Sequence, residues 1–301
     1  TRKIVVPILD EAGVDYELAF CPERTIEGKA LSELRQLPQI VGGAELHTTI
    51  RAAQLFQFLT PTVVRVQSLE TAEMIKYASN AFLATKITFI NEVANLCERV
   101  GADVHDVARA MGLDGRIGRK FLHPGVGYGG SCFPKDTESL VAFSRDFGVE
   151  QTIVAAVCKA NLRQRELAVE KVAAAVGTLE GRTIGVLGLS YKPNTDDVRE
   201  SPAIHVIRGL QEQGARIRCF DPQAIENAKA ELSDVHFCAD PYEVAEDASA
   251  LVLATEWNEF RALDLARLKK LLGEPVIVDL RNIYEPQEML RLGFDYQGVG
   301  R

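Results

Sequence analysis

From Arg182 to the end of the chain, strand-like segments alternate with helix-like ones, and this alternation constrains the fold more than any other feature. The strand-like segments are short apolar runs at residues 183–187, 216–220, 235–237, 250–254, 276–279 and 295–298. Strands and helices that alternate at this spacing are typical of a parallel sheet with helices on both faces. We therefore predict an α/β fold whose C-terminal part is a doubly wound parallel sheet.

A long helix is predicted upstream of that sheet, starting near Glu70. One apolar stripe on this helix contains Ile75, Phe82, Phe89 and Leu96, and a second contains Leu83, Ile87 and Ile90. A helix that is apolar on two sides must be central in the fold or shared with a second subunit. Further helices are expected at residues 104–111, 134–147 and 154–176, whereas the first 65 residues have strand patterns at 15–20, 39–41 and 62–66 and a helical one at 47–59.

Composition and charge exclude several classes of protein. The 301 residues are 47% hydrophobic and 25% charged, which is typical of a globular chain. No apolar run approaches the ~18 residues of a transmembrane helix, so no membrane association is expected. The 34 basic and 42 acidic residues give a net charge of −8, which disfavours a nucleic-acid-binding protein.

The six cysteines form no C-x-x-C pair and the histidines lie at no zinc spacing, so no metal site is expected. Scattered cysteines in a chain of this size indicate reduced thiols and a cytoplasmic location. The chain starts with Thr1 rather than Met and has no apolar signal-peptide core, so a processed or truncated chain is expected.

The strongest candidate for a chemical site is the segment 125–136, which has four glycines in its first six positions. Such a backbone can approach a ligand closely and donate N–H groups to it. Pro134 suits the first turn of a helix, which places Cys132 at the N-terminus, where the helix dipole favours a thiolate. Asp136 lies in the same first turn. The alternative is a glycine-rich loop with an incidental thiol.

Two further segments carry charged groups. Lys76 and Asn80 are four residues apart on the long helix, so an ammonium and an amide share one face, as an oxyanion site requires. Glu23 and Glu27 follow a predicted strand, where open α/β sheets commonly bind ligands. The alternatives are that Lys76 and Asn80 simply reach solvent and that the two glutamates lie in a solvated loop.

A glycine turn also follows the first strand of the tail. Gly185-Val-Leu-Gly188 comes after that strand, and Asp221 ends the next one. This resembles a dinucleotide-binding fingerprint, but the third glycine is missing and the acidic residue is late. Tight packing at a strand-to-helix turn explains the pattern equally well.

Four motifs occur in the order found in one family. They are Cys21-Pro-Glu-Arg…Glu27-Gly28, the Lys76/Asn80 helix, Gly127-x-Gly-Gly-Ser-Cys132-Phe-Pro-Lys-Asp136 and Gly188-Leu-Ser-Tyr-Lys192-Pro-Asn-Thr-Asp-Asp-Val-Arg199-Glu-Ser201. On these motifs the whole chain resembles the UDP-glucose/GDP-mannose dehydrogenase family. The resemblance implies an oxidoreductase that uses NAD to oxidise the C6 alcohol of a sugar nucleotide to a carboxylate, in a four-electron reaction of polysaccharide-precursor biosynthesis.

The resemblance also implies the role of each candidate residue. Cys132 would form a thiohemiacetal and then a thioester, Lys76 and Asn80 would stabilise oxyanions, and Asp136 and Glu27 would act as acid/base groups. The substrate contacts would be Glu23, the backbone of Gly125, Val126, Gly127, Tyr128 and Gly129, Arg116 reaching across a dimer, and Tyr191, Lys192 and Arg281. The NAD contacts would be Glu27, Lys135 and Arg199.

Three domains follow from the resemblance. Residues 1–66 would be the end of an NAD-binding Rossmann domain, residues 67–176 a helical central domain that forms a homodimer or higher oligomer, and residues 177–301 a Rossmann-like UDP-sugar-binding domain. Family members begin with a Rossmann domain bearing G-x-G-x-x-G, and residues 1–66 contain no such motif. The 301-residue chain is therefore expected to be inactive alone.

UDP-glucose is the preferred substrate, because Ser131 stands where the family's amino-sugar enzymes commonly have histidine. The alternatives within the family are UDP-N-acetylhexosamines and GDP-mannose. Outside it, the chain could be a binding module that holds a UDP-sugar without chemistry, or a fragment that serves only to dimerise.

Overall fold

The computed structural model describes residues 1–25 and 30–301, which form two compact units, Thr1–Asn80 and Ala81–Arg301. The boundary falls inside the longest helix. The division of the chain into residues 1–66, 67–176 and 177–301 stays a prediction.

The first unit contains a three-stranded sheet. Its strands are β1 (Ala19–Phe20), β2 (Gln39–Gly43) and β3 (Val63–Val66), and the helices that precede and connect them are α1 (Val5–Glu11), α2 (Ala30–Gln36) and α3 (Leu46–Gln54). The central strand β2 pairs antiparallel with β1 and parallel with β3. β1 is shorter than the predicted 15–20 segment, because only its last two residues pair with β2.

The helical part of the chain follows the predicted periodicity. Its helices are α4 (Leu69–Val100), α5 (Val104–Gly112), α6 (Phe133–Arg145) and α7 (Thr152–Val176). Local signals explain their ends: the Asp103 carboxylate accepts the N–H of His105 and caps α5, and α6 has a proline in its first turn. Gly177, with a φ of 85°, terminates α7.

The long helix α4 has two different apolar faces, as predicted. Within the second unit, Ile90 is fully buried and Ile87 packs against a small cluster that includes Tyr128. On the other face Phe82, Phe89 and Leu96 are 65%, 48% and 62% exposed. The stripe at seven-residue spacing therefore faces outward in the single chain.

The C-terminal part is a six-stranded, all-parallel sheet in the order β6-β5-β4-β7-β8-β9. Its strands are β4 (Thr183–Leu187), β5 (Arg216–Phe220), β6 (Val235–Phe237), β7 (Ala250–Leu253), β8 (Val276–Asp279) and β9 (Asp295–Gln297). The remaining helices are α8 (Pro202–Glu212), α9 (Ile225–Ala228), α10 (Pro241–Ala245), α11 (Asn258–Arg261), α12 (Leu265–Leu271) and α13 (Pro286–Arg291). The order reverses between β4 and β7, which is where open α/β sheets bind ligands.

Alternating residues of the central strands fill two separate cores. On β7, Val252 belongs to the core formed with α4, α7 and α8, whereas Leu251 and Leu253 belong to the core formed with α10, α11 and α12. Burial on both faces explains why these strands are almost continuously apolar. The predicted α/β class, the long helix and the C-terminal parallel sheet are confirmed.

No helix within residues 1–25 and 30–301 is long and apolar enough to cross a membrane.

Candidate active site

The thiol of Cys132 is exposed at the beginning of α6. Cys132 is the N-cap residue of this helix, and its carbonyl accepts the N–H of Asp136 at 2.9 Å. The other five cysteines, all within the described residues, are buried or half-buried. The Ser131 hydroxyl lies 3.7 Å from the Cys132 sulfur. The structure thus places an exposed thiol at the helix N-terminus that the sequence predicted, and its reactivity stays a prediction.

Asp136 lies one turn into the same helix, and its side chain is almost completely buried. The Lys135 ammonium donates to its carboxylate at 2.6 Å and is itself two-thirds exposed. The segment therefore places a thiol, a buried carboxylate and an ammonium within the first turn of one helix.

The glycine loop (residues 125–130) precedes Cys132. At three of its glycines, neighbouring atoms of the chain leave no room for a side chain. A Cβ atom at Gly127 would lie 2.6 Å from the Asn161 side-chain oxygen, and one at Gly130 would lie 2.6 Å from the Tyr191 ring. A Cβ atom at Gly129 would collide with the carbonyl of Glu200. Gly127 and Gly130 also have φ values of 99° and 80°. Sequence reasoning assigned these glycines to a ligand, but the fold itself requires three of them.

Side chains from two helices hold the glycine loop, and sequence reasoning missed them. Asn91 on α4 accepts the N–H of Gly125 at 2.8 Å, and Gln164 on α7 donates to the Gly125 carbonyl at 2.8 Å. Asn161 accepts the N–H of Tyr128 at 2.8 Å and donates to the Tyr128 carbonyl at 3.1 Å. The three α7 positions 161, 164 and 165 share one helix face, so polar residues at this spacing were the available signal.

Burial changes the chemistry of two groups beside this loop. Burial raises the pKa of the Tyr128 hydroxyl to about 12, so this phenol stays neutral at physiological pH. Burial also lowers the pKa of Arg165, a guanidinium that donates to the carbonyls of Tyr128 at 2.9 Å and Glu200 at 3.2 Å. An arginine nevertheless remains charged, because its ordinary pKa is so high.

Arg281 meets the glycine loop at the switch point of the sheet. It follows β8 and donates to the carbonyls of Ala254 at 2.8 Å and Tyr191 at 3.2 Å. A Cβ atom on Gly125 would lie 3.1 Å from the carbonyl of Leu280 and 3.6 Å from the Arg281 side chain. The predicted contacts Gly125 to Gly129, Tyr191 and Arg281 therefore belong to one neighbourhood.

Lys192 completes this neighbourhood. Its ammonium lies 5.2 Å from the centre of the Tyr191 ring, within cation–π range. The guanidinium of Arg281 also lies 3.2 Å from the Glu256 carboxylate. Arg281 and Lys192, together with an aromatic ring at the carboxyl ends of parallel strands, nevertheless suit an anionic ligand with a flat group.

The backbone N–H groups of the turn at Gly188 donate to a side chain of the same chain. The Asp221 carboxylate accepts the N–H groups of Leu189 and Ser190 at 2.8 and 3.0 Å and the indole N–H of Trp257 at 3.1 Å. Gly188 has a φ of 94° and packs against Thr255. Asp221 therefore shapes the turn from within, and the packing interpretation of this pattern fits better than a dinucleotide site.

Each of two predicted ligand-binding arginines forms an ion pair with an aspartate two residues before it in the sequence. Arg116 pairs with Asp114 at 2.6 Å, and Arg199 pairs with Asp197 at 2.7 Å. The guanidinium of Arg199 holds the pKa of the Asp197 carboxyl below its ordinary value. The side chains of both arginines are mostly exposed. Arg199 also lies beside the glycine loop, since its carbonyl accepts the N–H of Gly130 at 3.0 Å.

The first unit contains the remaining predicted residues. Lys76 on α4 donates to the carbonyl of Glu23 and lies 3.9 Å from its carboxylate. Asn80 is buried, so the alternative in which it simply reaches solvent does not hold. Glu27 lies outside the described residues.

Among the described residues, one group of metal-ligand side chains comes together although its spacing in the sequence did not predict it. His236, Cys238 and Glu243 bring their ligand-type atoms within 4.8 Å of one another, because α10 folds Glu243 back onto the end of β6. The Glu243 carboxylate already accepts the N–H of Ala239 at 2.7 Å, and the Arg218 guanidinium donates to the Glu243 carbonyl at 3.3 Å. A nearby guanidinium opposes cation binding, so this group carries no metal assignment.

Comparison with known families matches both halves of this neighbourhood. The central domain of the UDP-glucose/GDP-mannose dehydrogenase family matches residues 70–163, and the UDP binding domain of the same family matches residues 185–286. The first match contains the glycine loop and Cys132. The second contains Tyr191, Lys192 and Arg281.

Individual relatives are similar over nearly the whole chain. UDP-glucose 6-dehydrogenase from Rhizobium meliloti is 48% identical over 294 residues, which are 95% of this chain and 67% of the relative. The solved UDP-glucose dehydrogenase from Pyrobaculum islandicum has 38% identity and a TM-score of 0.88, covering 97% of this chain and 66% of that one. The solved NDP-N-acetyl-D-galactosaminuronic acid dehydrogenase from Methanosarcina mazei has 29% identity and a TM-score of 0.88, covering 100% and 67%. The chain spans about two thirds of the length of these relatives.

Proposed function

The chain belongs to the UDP-glucose/GDP-mannose dehydrogenase family, and on that premise we propose that it carries the reactive thiol and the nucleotide-sugar site of an NAD-dependent UDP-glucose 6-dehydrogenase. The observation that carries this proposal is the exposed Cys132 at the start of α6, directly after a glycine loop that adjoins Arg281 and Tyr191. A thiol and a nucleotide-type anion site in one neighbourhood are what covalent oxidation of a nucleotide sugar requires.

The residues of the second unit divide into binding and covalent chemistry. Arg281 and Lys192 supply positive charge for a diphosphate, and the Tyr191 ring offers a face for stacking. The Cys132 thiol adds to the C6 aldehyde and gives a thiohemiacetal. Oxidation of that adduct leaves a thioester, and water then releases the carboxylate and restores the thiol. The buried carboxylate of Asp136, one turn away, is assigned to proton transfer through a water.

NAD+ fits the donor set beside this thiol. Lys135 and Arg199 have mostly exposed cationic groups, and cations of this kind suit the phosphates of a dinucleotide. When bound, NAD+ accepts one hydride in each of the two oxidations. Family membership, rather than geometry, assigns Lys76 and Asn80 to oxyanion stabilisation, Glu23 to the substrate and Glu27 to thioester hydrolysis.

The substrate assignment is tested with a panel of sugar nucleotides. The full-length protein is assayed for NADH formation with UDP-glucose, UDP-N-acetylglucosamine, UDP-N-acetylgalactosamine and GDP-mannose. We expect turnover with UDP-glucose to exceed the others by at least about tenfold, which is ~1.4 kcal/mol of transition-state discrimination. Preference for an N-acetylhexosamine would move the assignment toward the activity named for the Methanosarcina mazei relative.

The alternative of a binding module without chemistry is tested separately on the 301-residue chain. Calorimetry should show binding of UDP-glucose, because Tyr191, Lys192 and Arg281 are present, and only weak binding of NAD+, because residues 1–66 contain no G-x-G-x-x-G turn to hold its phosphates. Iodoacetamide should alkylate Cys132 at pH 7 faster than any other cysteine, since the others are buried or half-buried. UDP-glucose binding together with an unreactive Cys132 would favour the binding module.

We also propose that the chain forms a homodimer through the exposed face of α4. Phe82, Phe89 and Leu96 align along this face, and an apolar stripe of this kind usually marks an interaction surface. Phe89→Asp should convert a dimer into a monomer in light scattering at micromolar concentration. Leu290→Asp, at an exposed leucine on α13, is the control and should leave the mass unchanged. A wild-type protein that is already monomeric would contradict the proposal.

A further inference from the structure

Four buried polar side chains form what we name the loop clamp: Asn91, Asn161, Gln164 and Arg165. They are only 1%, 4%, 6% and 4% exposed, yet each of them forms at least one hydrogen bond with the backbone of the glycine loop. Between them they engage the N–H and the carbonyl of both Gly125 and Tyr128. One loop therefore receives buried hydrogen bonds from two different helices.

The loop clamp does not maximise the stability of the packing between α4 and α7. Two of its polar atoms, Asn91 Nδ2 and Arg165 Nε, are buried without a hydrogen-bond partner among the described residues. Each such atom costs stability, and buried polar groups can often be replaced by apolar ones without loss of stability. The four side chains reduce stability, yet all of them bond to the same loop. We therefore assign them a role in fixing the conformation of the glycine loop.

Tyr128 is where the loop clamp converges. Its carbonyl accepts both the Asn161 amide at 3.1 Å and the Arg165 guanidinium at 2.9 Å, and its N–H donates to Asn161 at 2.8 Å. Only three residues lie between Tyr128 and Cys132. Because both of its polar atoms are engaged, the direction of the chain toward Cys132 is restricted.

Arg165 also ties the glycine loop to the segment that contains Arg199. Its guanidinium donates to the Glu200 carbonyl at 3.2 Å and lies 3.5 Å from the Glu200 carboxylate. The N–H of Gly130 donates to the neighbouring carbonyl of Arg199 at 3.0 Å. Arg165 thus bridges the loop that leads to the thiol and the segment that leads away from Tyr191 and Lys192.

We propose that Asn161 and Arg165 are positioning residues that act through the Tyr128 peptide to set the place of the Cys132 thiol relative to the nucleotide-sugar site. This inference rests on the proposed function, which assigns the reaction to Cys132. Neither residue needs to touch the substrate. Their effect should therefore fall on the covalent steps more than on binding.

The test uses Asn161→Leu, which has a similar shape but no amide, in the full-length protein. Turnover should fall at least tenfold, while KM for UDP-glucose changes less than threefold. Arg165→Lys keeps the charge but loses the planar fork that serves two carbonyls, so it should also lose at least tenfold in turnover. Ser144→Ala is the matched control, because it removes a buried hydroxyl that bonds only to the Leu140 carbonyl within α6. It should leave turnover unchanged.

A second measurement does not depend on the substrate. The rate of Cys132 alkylation by iodoacetamide should change at least threefold in Asn161→Leu and stay constant in Ser144→Ala, with circular dichroism showing that both are folded. A wild-type protein that does not turn over UDP-glucose would overturn the proposed function, but the alkylation rates would still test the positioning role. A folded Asn161→Leu protein with wild-type alkylation and wild-type turnover, where turnover exists, would overturn the positioning role.

Discussion

The glycine loop and the turn at Gly188 are built from similar sequence but have different relations to their surroundings. Both contain glycines at positive φ that lie against neighbouring chain. The turn at Gly188 closes around Asp221, which bonds to its N–H groups and to Trp257. The glycine loop is held from behind by the loop clamp and leads to an exposed thiol.

The two regions differ in what their polar side chains do. Glycine content alone does not distinguish them, since close packing demands glycine in both places. The distinguishing feature is whether the side chain remains accessible. The Asp221 carboxylate accepts hydrogen bonds from its own turn, whereas the Cys132 sulfur is exposed to solvent. The comparison can be tested by changing one region at a time.

Asp221→Ala should have the largest effect on stability. It leaves the N–H groups of Leu189 and Ser190 and the indole of Trp257 buried without their acceptor, at about 1–3 kcal/mol each. Urea denaturation should show a loss above roughly 3 kcal/mol, whereas Cys132→Ala should change stability by less than about 0.5 kcal/mol. A loss below ~1 kcal/mol in Asp221→Ala would remove the contrast between the two regions.

Gly130→Ala should have a smaller effect that combines strain and displacement. A φ of 80° disfavours alanine, and the new methyl group would meet the Tyr191 ring at 2.6 Å. We expect a loss of about 2–4 kcal/mol in stability and weaker binding of UDP-glucose, measured by denaturation and calorimetry. Gly118→Ala is the matched control, because Gly118 has a similar φ of 72° and no atom lies within 4 Å of its added Cβ atom. Equal effects at both glycines would contradict the role of the Tyr191 contact.

Arg281→Met should weaken ligand binding, and it should also cost some stability because Arg281 donates to the carbonyls of Ala254 and Tyr191. A charge-assisted hydrogen bond to a phosphate contributes about 1.5–3 kcal/mol, so the Kd for UDP-glucose should rise roughly tenfold to a hundredfold. Arg109→Met is the control, since Arg109 is an exposed arginine on α5 paired with Asp106 at 2.7 Å. An unchanged Kd in Arg281→Met would remove Arg281 from the proposed nucleotide site.

The parallel sheet was predicted well because its signal is local. The apolar runs at 183–187, 216–220, 235–237 and 276–279 coincide with β4, β5, β6 and β8. The strands β4 and β8 are buried on both faces, so their patterns in the sequence directly reflect their environment. The long helix was recognised for a similar reason, although only the structure shows that Phe82, Phe89 and Leu96 face outward.

The support of the active site was not predictable in the same way. Asn161 and Arg165 lie more than thirty residues from Tyr128, and nothing in their local sequence names the glycine loop as their target. Contacts of this kind depend on tertiary packing, which a periodicity argument does not reach.

The central claim is that Cys132 is the covalent nucleophile of a sugar-nucleotide oxidation. Its most direct test is formation of UDP-glucuronate from UDP-glucose by the full-length Cys132→Ser protein, measured beside wild type with equal amounts of folded enzyme. We predict that uronate formation is abolished, because the serine hydroxyl is a far weaker nucleophile and does not restore the thioester route. Uronate formation within about tenfold of wild type, a loss of only ~1.4 kcal/mol, would contradict the covalent role.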